Sequence, residues 1–220
     1  MKYYYLILVC LFFSLNVFAD NLKEVIERVK TSSLPFECTK TTNYPNPAYA
    51  FPVENFRLPL KTYKDLGLTE KNTIPSTNFV IFRRFKFISQ KFDIIALDIN
   101  VSDWNKKLLV VYSENDLTDY IEAEVCWYPD SVFFVKQWRI TSNEEIIVTW
   151  LKVVSETPIN AFSNFKEVTA QRIDMHYRID ANGKFQLTKE VKYTPRNYSR
   201  AYLADKTKNL WEGNETPIVE

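Results

Sequence analysis

"RIDMHYRID", residues 172–180, alternates without a slip: Ile173, Met175, Tyr177 and Ile179 stand against Arg172, Asp174, His176, Arg178 and Asp180. Successive side chains of an extended chain point to opposite sides, so the stretch predicts a β-strand with one face in a core and one in water. The run that follows, 184–193, fixes the turn between them. A two-residue Asn182-Gly183 turn would set Ile179 against Gln186. A three-residue loop, Ala181-Asn182-Gly183, sets Ile179 against Phe185, Tyr177 against Leu187 and Ile173 against Val191. Only the second keeps one apolar face, and it puts Gly183 where a type I turn with a G1 bulge needs φ > 0. Lys189 opposite Met175 is its one mismatch. Asp180, Asn182 and Gly183 echo part of a calcium loop, but Arg178 then falls at the first position, where a carboxylate belongs.

Working outward, the same texture runs from Phe79 to Tyr193. In "DIIALDINV" (93–101) Ile95, Leu97, Ile99 and Val101 oppose Asp98 and Asn100; in "YIEAEVCW" (120–127) Ile121, Ala123, Val125 and Trp127 oppose Glu122, Glu124 and Cys126. "KLLVVYS" (107–113), "SVFFVKQWRI" (131–140) and "EIIVTWLKVV" (145–154) are apolar on both faces, which places them centrally or under cover. "NFVIFRRFKFIS" (78–89) groups Phe79, Ile81, Phe85 and Phe87 on one side, interrupted by Arg83, and Val80, Phe82, Arg84, Lys86 and Ile88 on the other. Basic and aromatic residues so mixed invite a nucleic-acid reading, but glycine and a wider basic surround are missing, and a structural strand explains the stretch. The expected fold is all-β: a mainly antiparallel meander of about eight strands, as a sheet or partly closed barrel.

The flanks are different. Lys2, the apolar run from Tyr3 to Leu15 and the small residues Val17 and Ala19 read as a secretory signal peptide over 1–19, too short in its apolar part for a membrane anchor. The rest, 20–220, reads as one β-rich domain. A short amphipathic helix within 20–32 aligns Leu22, Val25, Ile26 and Val29, with Asn21 and Glu24 spaced as a capping box. Five of the ten prolines fall in 35–59, so 35–75 reads as an extended covering segment, with "TYKDLGL" (62–68) able to form a turn or two of helix. The tail, 195–220, shows little pattern; Trp211 is its one evident anchor.

Composition bounds the chemistry. Signal cleavage removes one of 28 basic residues, Lys2, leaving 27 against 27 acidic ones, so no long-range field draws the protein to nucleic acid or anionic lipid. It also removes Cys10, leaving Cys38 and Cys126, and in an oxidising compartment one disulfide between them is the expectation; two buried thiols are the alternative. Two distant cysteines and the single His176 make no zinc set. Three glycines, none close to another, exclude phosphate loops, dinucleotide fingerprints and nucleophile elbows, so no cofactor is expected. His176 reads as a solvated or locally paired strand residue. Glu122 and Glu124, two apart on one strand, suggest a pair of carboxylates for glycan hydrolysis, with five tryptophans to stack on sugars. A barrel carrying an apolar ligand is a further option. No catalytic residue can be assigned and the balance points away from an enzyme. The expectation is a secreted or periplasmic non-catalytic module, unanchored in the membrane once cleaved, that meets a protein or glycan partner through its surface as an inhibitor, adhesion or envelope component.

Overall fold

The structure is a computed structural model that describes residues 22–40, 79–88, 91–101, 104–113, 116–127, 133–155 and 165–219. Residues 1–19, where a signal peptide is expected, and residues 41–78, with most of the proline-rich stretch and "TYKDLGL", lie outside the described residues. The chain is mostly β, and its mixed sheet curls into a half-barrel. The strands are β1 (Thr31–Ser32), β2 (Phe36–Glu37), β3 (Phe79–Lys86), β4 (Asp93–Val101), β5 (Trp104–Ser113), β6 (Asp116–Trp127), β7 (Phe133–Ile140), β8 (Ile146–Val153), β9 (Glu167–Ile179), β10 (Phe185–Lys192) and β11 (Arg196–Ser199). Two helices, α1 (Leu22–Arg28) and α2 (Arg200–Ala204), flank them. From β3 to β10 the eight strands pair in chain order, each antiparallel to the next, as the alternation predicted.

The curl has a local cause. β6 and β7 pair only where Val125–Trp127 meets Phe133–Lys136, and beyond that β2 takes the freed edge of β7, Phe36 opposite Ile140. Because β1 lies parallel on β3, segment 31–37 links the first long strand to the middle of the sheet. On the other side the β9–β10 turn reaches back to the start of β6: the Thr118 hydroxyl donates to Gly183 O at 3.0 Å, and Phe185 N donates to Asp119 Oδ2 at 2.8 Å. The inner face so formed gathers Phe85, Phe87, Ile94, Ala96, Leu109, Val111, Trp138, Ile140, Ile146, Val148 and Ile179 in one core. Phe36 lies 4.9 Å from Phe85 and 5.3 Å from Trp138, centroid to centroid, so the linking segment is bolted in by aromatic packing. Each large apolar side chain fully buried here contributes about 1.5–3 kcal/mol.

Bulges are where structure and alternation part. In β3 the pairing passes from Ile81–Leu97 to Arg83–Ala96, so Phe82 is the extra residue and Ile81 leaves the side of Phe85 and Phe87. Arg83, the interruption in that aromatic face, sets its guanidinium 5.9 Å from the Phe36 ring. In the last hairpin the predicted turn forms: Gly183 has φ +73°, Ile179 faces Phe185 and Tyr177 faces Leu187. Past Leu187 the register differs from the expectation. A bulge at Thr188, whose hydroxyl donates to His176 O at 3.1 Å, puts Glu190 opposite Met175 and Lys192 opposite Ile173. Residues 186–190 are all exposed, so no buried face enforces the alternation there.

A second core on the outer side joins Phe133, Leu151, Phe165, Val168, Tyr198, Leu203, Leu210 and Cys126. It is roofed by the tail, which has more structure than its sequence announced: β11 pairs with β9, and Ser199 caps α2 by accepting from Tyr202 N at 3.1 Å. Gln137, fully buried on β7, accepts from Leu210 N at 2.7 Å and donates to Asn209 Oδ1 at 3.3 Å. Trp211 does anchor the tail, its ring 5.1 Å from the Arg139 guanidinium and its carbonyl accepting from Arg172 Nη1 at 3.0 Å. Gly213 matters here, since a Cβ would fall 1.8 Å from Glu215 Oε2: its bare backbone lets that carboxylate fold back between Arg196 and Arg172. At the front, α1 buries Ile26 and Val29, and Arg84, paired with Asp93, donates to Ile26 O.

Candidate functional site

The residues singled out in the sequence do not assemble into one site. Cys38 and Cys126 are both buried and no disulfide joins them, which corrects the expected pairing. The reason is packing: Cys38 belongs to the inner core and Cys126 to the outer one. His176 is locally paired, its Nδ1 3.4 Å from Glu145 Oε2, with no cysteine or serine beside it in these contacts. Asp180 holds the hairpin turn instead of a cation, accepting from Asn182 N and Lys184 N at 2.8 and 2.9 Å. Among the described residues no three His, Cys, Asp or Glu side chains are grouped to hold a metal, and no helix is long and apolar enough to cross a membrane.

Glu122 and Glu124 separate. Lys107 pairs with Glu124 and Leu108 with Glu122, so Ala123 is a bulge between the two acids. Glu122 bonds Lys106 and Lys136, both at 2.7 Å, in a half-buried ion triad, whereas Glu124 bonds Lys107 at 2.6 Å. Lys106 and Lys107 are consecutive strand residues and point to opposite faces, and they carry their acids with them. The side-by-side carboxylates that suggested glycan hydrolysis are therefore not formed. Burial alone would raise Glu122, but its two lysines outweigh it and hold the carboxyl below its usual range.

The bulge creates a constellation the sequence did not announce. Glu124 is 0% exposed and Lys107 1%, and the Cys38 thiol donates to Glu124 Oε2 at 3.3 Å. Asp98, the cross-strand neighbour of Lys107 on β4, is buried too, so Asp98, Lys107 and Glu124 form a row across β4, β5 and β6. Burial opposes the Lys107 charge, but Glu124, helped by Cys38 and Asp98, outweighs it and holds the ammonium above its usual range. Burial first and the Glu124 charge second push the Cys38 thiol well up, so it stays protonated and is no nucleophile. The signal was present in hindsight: Lys107 opens an otherwise apolar run, and a lysine in such a run needs a counter-charge.

One buried cluster and one exposed rim remain. On the outer face, Arg172 clasps Asp174 at 2.6 and 3.1 Å, and Asp174 also accepts from Thr149 at 2.8 Å. Burial would raise Asp174, but Arg172 and Thr149 outweigh it and hold the carboxyl low. These groups are spent on the sheet and tail. On the open side of the half-barrel, Leu34, Phe36, Ile121, Met175, Tyr177 and Phe185 are only partly buried against the inner core, and Leu187 beside them is 52% exposed. Among the described residues that rim is a contiguous apolar surface whose side chains are only partly covered. No protein-family model, curated protein or solved structure matches the chain.

Proposed function

We propose that the protein is a secreted or periplasmic, non-catalytic binding module that grips a protein partner through the apolar rim on the open side of the half-barrel. One observation carries this reading: the rim of Ile121, Met175, Tyr177 and Phe185 continues into the exposed Leu187. A contact surface of this kind pairs an apolar centre with a polar surround, and here Glu190 and Lys192, themselves ion-paired at 3.4 Å, border it. The buried ion pairs of the sheet support the same reading, since Lys107 with Glu124 and Arg172 with Asp174 are bound to each other. Immobilised protein incubated with the native envelope or medium should retain one partner, and Leu187→Glu should lose it with the melting temperature unchanged. Equal retention by Leu187→Glu would overturn the surface assignment. Sugar release from a polysaccharide panel that Glu122→Gln abolishes would overturn the non-catalytic reading.

A further inference from the structure

We propose that Lys107 and Asp98 condense to an intramolecular isopeptide bond inside the sheet, with Glu124 relaying the proton. The two residues are direct cross-strand neighbours on β4 and β5, where Cβ atoms stand about 5 Å apart, within reach of a lysine side chain curled over its own strand. Both are buried, at 1% and 6% exposure, and Asp98 acts directly on the Lys107 charge. Glu124 meets Lys107 Nζ at 2.6 Å from the other flank, a hydrogen bond short enough to pass a proton. Its second oxygen accepts from the Cys38 thiol, which fixes the carboxyl in place.

The step balances without any co-reactant. The Lys107 ammonium gives one proton to Glu124, and the free amine attacks Asp98 Cγ. That proton, and a second from nitrogen, leave with one Asp98 oxygen as water. A C–N bond has formed, a C–O bond has broken, and Glu124 ends as it began. The environment favours the product, because a buried ammonium and carboxylate each cost several kcal/mol of lost hydration and a neutral amide does not. The surrounding apolar core, which includes Leu109, Ala96 and Ala123, also keeps bulk water from reversing the bond. A Glu or Asp within reach of water could not react this way, which is why the half-buried Lys106–Glu122 pair stays ionic.

Peptide mapping of the folded protein by mass spectrometry tests this. The wild type should yield a branched peptide joining the segments of Asp98 and Lys107, one water lighter than their sum. Asp98→Asn should give the same branched peptide with ammonia as the leaving group, while Glu124→Gln and Lys107→Arg should leave the two segments separate. Unlinked Asp98 and Lys107 peptides from folded wild-type protein would overturn the proposal, as would a link from Lys107 to any other residue.

Discussion

Two lysines, each 1% exposed, behave in opposite ways, and the contrast separates the two sides of the molecule. Lys107 lies in the inner core against a carboxylate 2.6 Å away, which holds its charge until the proposed bond to Asp98 forms. Lys40 lies at the seam with the tail, where its amine donates to Leu203 O at 2.9 Å and Asp205 O at 3.0 Å, at the C-terminal end of α2. Carbonyl dipoles compensate less than a full counter-charge, and burial lowers Lys40 to about 8 against weaker support from Asp205 and Glu212. The partner, not the depth, decides the charge state. Inside, Lys107 is sealed with its two carboxylate neighbours in a closed apolar layer. Outside, a lysine closes the end of a helix and ties the first described segment to the last.

Breaking the inner pair should have the largest effect. Glu124→Ala leaves Lys107 buried with its principal partner gone and should cost about 3–5 kcal/mol in urea unfolding. Adding Lys107→Met and Asp98→Leu to it should recover part of that loss, because apolar side chains need no partner there. A triple variant no more stable than Glu124→Ala would show that the row contributes through something besides its charges.

The outer lysine sharpens the contrast through pH. With the folded-state pKa near 8 and the unfolded one near the ordinary lysine value of 10.5, the unfolded chain binds more protons between those values. Stability from this group therefore rises with pH across that window, by up to about 3 kcal/mol. Unfolding free energies of wild type and Lys40→Met, measured from pH 7 to pH 10, should diverge above pH 8 in favour of the wild type. Curves that stay parallel would show Lys40 charged throughout.

How far the sequence carried this account depended on whether a face was buried. Ile173 to Ile179 alternate because one side packs on the inner core, and there both strand and turn were read correctly as far as Leu187. At Thr188, where the strand is exposed on both sides, the register drifted unseen. The bulges at Phe82 and Ala123 were hidden for a different reason: one extra residue reverses the faces of everything beyond it, yet leaves the composition of the run unchanged. The Ala123 bulge turned an expected pair of acids into two separate ion pairs. The disulfide failed because counting cysteines says nothing about which core each enters. The tail was opaque because its apolar anchors, Tyr198, Leu203 and Leu210, recur with no fixed period, and the contacts between them are polar, through Gln137, Arg172 and Glu215.

Thiol labelling of the native protein, counted by mass before and after unfolding without reductant, tests the closed interior most directly. Cys38, buried against Glu124, and Cys126, buried in the other core, should resist alkylation in the folded state and both react once unfolded. Rapid labelling of Cys38 in the folded protein, or no reactive thiols after unfolding, would contradict the arrangement from which the rest follows.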